Sequence, residues 1–449
     1  MLRRSSIWLL PLLTLILILF AFCADQKQQN AALLSHRSLS AEELQADFEL
    51  LISTLREKHP ALYRVSTKTA LEQRISSIRN NLRSNLGYLE FLKLLAPLFT
   101  DIGCIATQWS HPPEFLKFRN QNIARFPLGI KIENQQFYIK DRLSATYSIT
   151  AGSRIVSIDG ESPADYLDKN YKLLPRDGQV KTLQRRWLER YFAQHHANFW
   201  AQPQSFDLVL QSEEGTTYKR TVPAVKSEAL PIKRSPSQQE PLTFMSNIAL
   251  LDCRGTSATG WSDSFVDSCF RVISENNTKL LLLDLRGAGA QWPETARKLF
   301  DHLKSGTEAP ASEVIATEAA NGFLSNLSDY QQILTASTRP ATYAYTGRLY
   351  VLINGWTIGY NGLLCSRLSK RPSTFFAGEE SGAGRSGMQD LPFVLTLPNS
   401  GLKVSIPTFR VVADKQNPGS LRGVMPQISL PDSDDLPAVV VAGILQHKW

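Results

Sequence analysis

The spacing of apolar residues changes twice along the chain. Between residues 40 and 98, apolar positions recur every three to four residues, which predicts amphipathic helices packed together as a small helical cap. Ser40 and Glu43 have the spacing of a capping box at the start of the first helix. Between residues 126 and 225 the apolar runs are short and separated by turn residues, which predicts β-strands.

The last part of the chain alternates between strands and helices. A stretch rich in Pro, Ser and Gln at 231–241 predicts a linker before it. Strands are predicted at 248–251, 279–285 and 349–353, and helices at 265–273, 293–303 and 361–368. The third strand is apolar throughout, and so is the second apart from Lys279 and Asp284, which is typical of strands buried on both faces. This alternation predicts an α/β fold with a layered αβα core.

Composition excludes several classes of protein. The chain has 449 residues, of which 43% are hydrophobic and 5 are Cys, so it is neither a disordered chain nor a small disulfide scaffold. The formal net charge is +8, but the charges are scattered and do not form a basic stripe. We therefore expect two or three domains and no nucleic-acid partner.

The amino terminus has the composition of a secretory signal. Arg3 and Arg4 precede an apolar run at 7–22, and Cys23 follows that run directly. Three outcomes stay open: simple cleavage, a mature chain that begins with a lipidated Cys23, or a retained anchor. We expect export to the periplasm or cell envelope, with a membrane contact only through this terminus.

The remaining cysteines do not have the spacing of a zinc site, and no metal is expected from them. They are Cys104, Cys253, Cys269 and Cys365. Cys253 and Cys269 either form a disulfide in an oxidising compartment or stay as buried thiols.

Three segments, in this order, carry a resemblance to a known family. They are LLLLDLRGAG at 280–289, LYVLINGWT at 349–357 and GEESG at 378–382. They resemble the tail-specific, or C-terminal processing, serine peptidases, in the branch related to tricorn and interphotoreceptor retinoid-binding protein. Weaker matches lie at 59–63, 151–160, 397–401 and 423–426.

The resemblance implies an αβα core of the ClpP/crotonase type, an N-terminal helical cap, an inserted PDZ-like β domain and no cofactor. The expected divisions are a signal at 1–24, the cap at 38–120, the PDZ-like domain at 125–228, a linker at 229–243 and the core at 244–449.

Both catalytic positions that the resemblance implies are empty. The family's nucleophilic serine corresponds to Gly359, and its histidine corresponds to Ala106. Neither side chain can attack a carbonyl or accept a proton. The sister branch uses a lysine, but the matching region holds Arg385, which stays protonated. His111 replaces the base only if its loop shifts register.

Two further sets of residues complete the expected site. The oxyanion turn and cleft correspond to Gly289, Ala290 and Tyr360, whose backbone N–H groups can still donate. The segment Leu128, Gly129 and Ile130 resembles a PDZ carboxylate-binding loop, or is retained only for packing.

We therefore expect an exported, catalytically inactive peptidase homologue that binds peptide or protein segments through its PDZ-like groove and its vacant cleft. The alternatives are an active serine endopeptidase with relocated catalytic residues, or a scaffold subunit for an active relative. Ser381 is the rescue candidate for the first alternative, although loop capping suits it better, and Ser366 is expected to pack or cap backbone.

Other polar residues are assigned structural roles. Asp284 and Arg286 are expected to hold a loop rather than to act in catalysis. The acidic cluster Asp432, Asp434 and Asp435 predicts a solvated loop rather than a calcium site. The adjacent His195 and His196 do not form a metal pair, and His36, His302 and His447 are expected at the surface.

Overall fold

The structure is a computed structural model. It describes residues 37–140, 147–200, 202–226, 240–245, 247–254, 261–287, 293–304, 313–316, 341–383, 385, 387–412 and 420–448. The expected signal at 1–24, with Cys23, lies outside these residues, as do Gly289, Ala290 and His36. Within the described ranges, every helix is too short or too polar to cross a membrane.

The first unit is mainly helical. Its elements are β1 (Ser38–Leu39), α1 (Ala41–Lys58), α2 (Lys68–Asn81), β2 (Leu86–Gly87), α3 (Tyr88–Ile102), β3 (Gln108–Ser110) and α4 (Pro113–Asn122). The predicted capping box is confirmed, because the Ser40 hydroxyl accepts from the Glu43 N–H and the Glu43 carboxylate accepts from the Ser40 N–H. Apolar faces of α1, α2 and α3 share one core.

The second unit is a five-stranded antiparallel sheet with two helices. Its elements are β4 (Ile130–Glu133), β5 (Gln136–Ile139), β6 (Arg154–Ile158), α5 (Pro163–Asn170), α6 (Lys181–Phe199), β7 (Ser205–Gln211) and β8 (Thr217–Pro223). The strand order is β4-β5-β6-β7-β8. The sequence pattern predicts only strands here and misses both helices. The buried side of α6 carries Gln184, Arg186 and Glu189, so no apolar stripe marks it.

The third unit is an αβα core. Its first elements are β9 (Leu242–Met245), β10 (Ile248–Asp252), α7 (Asp263–Glu275), β11 (Leu280–Asp284), α8 (Pro293–Leu303) and β12 (Glu313–Ala316). The later elements are β13 (Arg348–Ile353), α9 (Gly359–Leu368), β14 (Thr374–Gly378), β15 (Gly387–Thr396), β16 (Lys403–Val412), β17 (Ile428–Ser429) and α10 (Leu436–Leu445). The sheet order is β17-β14-β13-β11-β10-β9, with β9 antiparallel to its neighbour and the others parallel.

Helices cover both faces of this sheet. Helices α7, α8 and α9 pack on one face, and α10 packs on the other. Alternate residues of β13 point to opposite layers: Val351 faces the first and Leu352 the second. The predicted α/β class with a layered core is confirmed. The expected linker at 229–243 overlaps β9, because Leu242 already pairs with Leu251.

A second sheet joins the helical unit to a hairpin from the last part of the described chain. Strands β15 and β16 form a long hairpin, and β3 of the helical unit pairs with β16. The Asp47 carboxylate of α1 accepts hydrogen bonds from the backbone N–H groups of Asn399 and Ser400 in the hairpin turn. Val404 and Ile406 belong to the helical unit's core. The cap is therefore packed against strands from the far end of the sequence.

Candidate active-site cleft

The turn between β13 and α9 is held by its own side chains. The Thr357 hydroxyl accepts from the Asn354 N–H and donates to the Leu285 carbonyl at 3.0 Å. The Asn354 side-chain oxygen accepts from the Trp356 N–H. These bonds fix the turn to the end of the neighbouring strand β11. In a parallel sheet this carboxyl edge is where functional groups collect.

Gly359 is the first residue of α9 and has a left-handed backbone, with φ of 56°. An L-residue in this conformation costs about 1–2 kcal/mol. A strained turn from strand to helix is the place where α/β hydrolases present a nucleophile. A Cβ built on Gly359 would meet no atom of the described residues within 4 Å. The predicted nucleophile position is thus a half-buried turn with room for a side chain but none present.

Other predicted cleft residues are placed as follows. Tyr360 follows Gly359 and is 4% exposed. Leu128 and Ile130 are buried in the core of the five-stranded unit. The Gly129 carbonyl accepts from the Lys140 N–H. The side chains at 128 and 130 therefore contribute to packing, and only the backbone of this segment can face a ligand.

Ala106 lies in the turn between α3 and β3, beside a bonded hydroxyl and imidazole. Nε2 of His59 lies 3.0 Å from the Thr107 hydroxyl. Nδ1 of His59 accepts from the Ala61 N–H, so the ring proton is on Nε2 and is donated to Thr107. Burial and the charge of Arg64 lower the pKa of His59 to about 3. His59 therefore cannot take a proton from Thr107.

His111 is held by two polar neighbours. Nδ1 lies 2.9 Å from the Tyr88 hydroxyl, and Nε2 lies 3.2 Å from the Asn198 side-chain oxygen. Because Asn198 accepts, Nε2 carries the proton and Nδ1 accepts from Tyr88. Burial lowers the pKa of His111 to about 4. The ring is thus a packed, neutral group, fixed beside β3.

The two serines considered as substitutes for the nucleophile bind backbone. The Ser381 hydroxyl donates to the Ala383 carbonyl and accepts from the Val424 N–H, and it is fully buried. The Ser366 hydroxyl donates to the Arg385 carbonyl. In the described chain, neither hydroxyl is paired with a histidine. These bonds match the capping and packing roles expected from the sequence.

Three backbone segments touch below the cleft. A Cβ on Gly382 would collide with the Gly355 carbonyl oxygen, and one on Gly423 would collide with the Ser381 carbonyl oxygen. Each contact requires a residue without a side chain. The glycine-rich segment at 378–382 is therefore fixed by direct main-chain contact.

A buried network of charges joins the carboxyl edge of the core sheet to α6. Arg286 contacts Asp284 at 2.7 Å and Asp432 at 2.8 Å. Arg186 contacts Glu379 at 2.7 Å and Asp432 at 3.4 Å. Asp284 and Arg286 thus hold a loop, as expected. Arg186 is missed by sequence reasoning, and a lone arginine on a helix without an apolar stripe gives no signal.

Two expectations about exposure are wrong. In the acidic cluster, Asp434 and Asp435 are exposed as expected, but Asp432 is not. Burial disfavours the charge of Asp432, but Arg186 and Arg286 outweigh this and lower the pKa of its carboxyl. His302 is fully buried, because its ring stacks on Phe270 and its Nε2 lies 2.7 Å from Asp267.

No metal site appears among the described residues: they contain no group of three His, Cys, Asp or Glu side chains able to hold an ion. Cys253 and Cys269 are free buried thiols in the core of the third unit. Burial raises the pKa of both thiols, so they stay protonated.

The αβα core, the helical unit and the five-stranded unit together form a fold that is similar to solved peptidase structures, so the resemblance expected from the sequence is confirmed at the level of fold. Among solved structures, the chain is similar to mature CPAF in complex with lactacystin, with a TM-score of 0.65, 14% identity and coverage of 91% of this chain and 97% of that one.

A second structure of mature CPAF gives a TM-score of 0.64 at 14% identity, over 90% of this chain and 96% of that one. The photosystem II D1 C-terminal processing protease gives a TM-score of 0.43 at 15% identity, over 87% and 93%. Protein-family models and curated proteins give no match to the sequence.

Proposed function

We propose that this chain is a catalytically inactive homologue of the tail-specific peptidases that binds peptide or protein segments in its cleft. The observation that carries the proposal is Gly359: a strained turn of the kind that presents a nucleophile, opening into free space, without a side chain. Ala106, at the position that the resemblance gives to the histidine, likewise offers no base.

The size of the expected loss in kcat favours an inactive protein over a weakly active one. In a serine peptidase, loss of the nucleophile or of the base lowers kcat by about 10⁶, or about 8 kcal/mol of transition-state stabilisation. The bonding of His59, His111, Ser366 and Ser381 argues against a relocated catalytic pair among the described residues.

The free space above Gly359 supports peptide binding in the cleft rather than in the PDZ-like groove. Strand β4 is an edge of the five-stranded sheet, where a peptide strand would add. However, the Ile132 N–H on this strand donates to the Glu189 carboxylate of α6 at 2.7 Å. A peptide in that groove would have to displace Glu189. The apolar run at 7–22 supports the accompanying proposal of export.

Restoring the catalytic side chains tests inactivity. We expect the full chain to leave unstructured fluorogenic peptides intact, and the double variant Gly359→Ser/Ala106→His to gain hydrolysis that a serine-directed reagent abolishes. The matched control is Gly359→Ala/Ala106→His, which carries the same backbone strain but no hydroxyl. Hydrolysis by the unaltered chain that is abolished by the same reagent would contradict the proposal.

Peptide binding is tested separately by filling the cleft. Gly359→Trp should weaken the binding of labelled unstructured peptides at least tenfold in fluorescence anisotropy. Gly215→Trp is the matched control, since Gly215 also has a positive φ (87°) and open space around its Cβ position. Equal affinities of the two variants would rule out the cleft as the binding site.

A further inference from the structure

A cavity of about 380 Å³ lies between the helical unit and α6. This volume is within the range of about 300–1,000 Å³ that is typical of small-molecule sites. Its apolar lining includes Phe99, Trp109, Leu116, Leu173, Trp187 and Tyr191. Gly359, Tyr360 and residues 128–130 are not part of the described lining. The lining does include Thr107, next to Ala106, and the ring of Trp187 lies 5.5 Å from that of Trp356 in the turn between β13 and α9, so the cavity adjoins the cleft.

The apolar wall is mostly aromatic. The rings of Trp187 and Tyr191 lie 5.1 Å apart on successive turns of α6. The ring of Trp109 contacts Phe199 edge to face at 6.1 Å. Flat ring surfaces favour a flat ligand, because aromatic pairs contribute about 0.5–1.5 kcal/mol beyond the area that they bury.

Two buried arginines line the same cavity. Arg119 and Arg125 are each 4% exposed. Arg119 donates one N–H to the Ala197 carbonyl at 2.7 Å, and a guanidinium has five such donors. Burial and the charge of Arg125 lower the pKa of Arg119 to about 10, so it remains charged at neutral pH. The cavity thus places two cations in an apolar surrounding.

The described lining supplies no negative charge. It contains neither Asp nor Glu. Its two histidines, His111 and His195, are neutral at pH 7, because burial lowers their pKa values to about 4 and about 3. Nε2 of His195 is buried and makes no hydrogen bond to the described residues. Two cations, with no acid among the described lining residues, favour an anionic ligand.

We propose that this cavity binds a small aromatic carboxylate. Its carboxylate accepts hydrogen bonds from Arg119, with Arg125 as the second cation, and its ring packs between Trp109 and Trp187. Guanidinium–carboxylate pairs of this kind are short, charge-assisted and often bidentate. The inference goes beyond the proposed peptide binding and stands without it.

Calorimetry with three isosteric probes tests the charge preference. The full chain should bind 2-naphthoate at least tenfold more tightly than neutral 2-naphthalenemethanol or cationic 2-naphthylmethylammonium. Decanoate tests the preference for a ring and should also bind at least tenfold more weakly. Equal binding of the charged and neutral probes would overturn the anion site, and equal binding of decanoate would overturn the aromatic ligand.

Variants then place the ligand. Arg119→Gln should weaken 2-naphthoate binding at least tenfold and leave the neutral alcohol unchanged, whereas the surface control Arg83→Gln should change neither. Gln194 is exposed and lies at the rim, so Gln194→Trp should weaken both probes without disturbing the fold. Melting curves confirm that each variant is folded. Unchanged 2-naphthoate binding in Gln194→Trp would overturn the location, whether or not Arg119→Gln folds.

Discussion

Buried arginines occur in two regions of the molecule with opposite surroundings. At the carboxyl edge of the core sheet, Arg186 and Arg286 each contact carboxylates within 2.8 Å. Around the cavity, Arg119 and Arg125 are equally buried, yet the described lining contains no acidic residue. In the first region the fold supplies the counter-charge. In the second region, by our proposal, a ligand supplies the counter-charge of Arg119.

We interpret this difference in surroundings as two roles of a buried arginine: one in stability and one, by our proposal, in ligand binding. A buried ion pair is strongly destabilised when one partner is removed, because the other charge is then left without compensation. An arginine in a ligand site carries that cost before the ligand binds, so its removal should harm binding more than stability. Three measurements test this contrast.

The largest effect is expected at the charge network. Asp432→Asn removes a carboxylate that faces both Arg186 and Arg286. The variant should lose about 3–5 kcal/mol of unfolding free energy, measured by urea denaturation. Asp434→Asn, in the same segment but exposed, is the control and should change little. If Asp432→Asn lowered the unfolding free energy by less than about 1 kcal/mol, the network would behave like solvent-exposed ion pairs, and the expectation would be wrong.

The next largest effect is a pH dependence of the unfolding free energy that comes from His195 in the cavity wall. Burial and neighbouring His196 lower the pKa of His195 to about 3, whereas an unfolded histidine titrates near 6.5. The unfolded state therefore binds the extra proton first, so stability is full above pH 6.5 and falls as pH drops towards 3. The slope from this one group is about 1.4 kcal/mol per pH unit.

His195→Phe should remove that slope, which gives the variant about 2 kcal/mol less acid destabilisation between pH 6.5 and 5. Urea denaturation at several pH values measures the effect, with exposed His447→Gln as the control. Identical slopes in the variant and the unaltered chain would show that His195 is accessible to protons in the folded state.

The smallest effect on stability is expected at Arg119. Arg119→Met loses one hydrogen bond to the Ala197 carbonyl but also relieves the burial of a charge. Its unfolding free energy should stay within about 1 kcal/mol of the unaltered chain. A loss as large as that of Asp432→Asn would show that the two regions use arginine in the same way, and the contrast would fail.

The parts of the fold that depend on local pattern follow from the sequence. Helix Pro293–Leu303 has the predicted bounds, and Ser40 and Glu43 form the predicted capping box, because both signals lie within a few residues. Helix Lys181–Phe199 was missed because its buried face carries polar groups whose partners, such as Glu379, are almost two hundred residues away. Pairing of β3 with β16 is equally remote in sequence.

In the candidate site, too, the features that depend on a local motif follow from the sequence, and those that depend on the tertiary fold do not. A motif counted along one strand leads to Gly359, and the structure puts that residue at the first position of α9. The assignment of the catalytic roles to Gly359 and Ala106 stays a prediction. The cavity could not be predicted, since its wall combines residues from α3, β3, α4 and α6 that only the tertiary fold brings together.

The glycines at 355, 382 and 423 affect which parts of the sequence can change during evolution without altering the structure around the turn. Where main chains touch directly, the spacing between segments is set by peptide atoms, and neighbouring side chains can be exchanged without altering it. Side chains around the turn can then be substituted while the cleft keeps its dimensions. Selection that preserves the shape of this surface would therefore act on these three glycines, which have no side chain that could take part in catalysis.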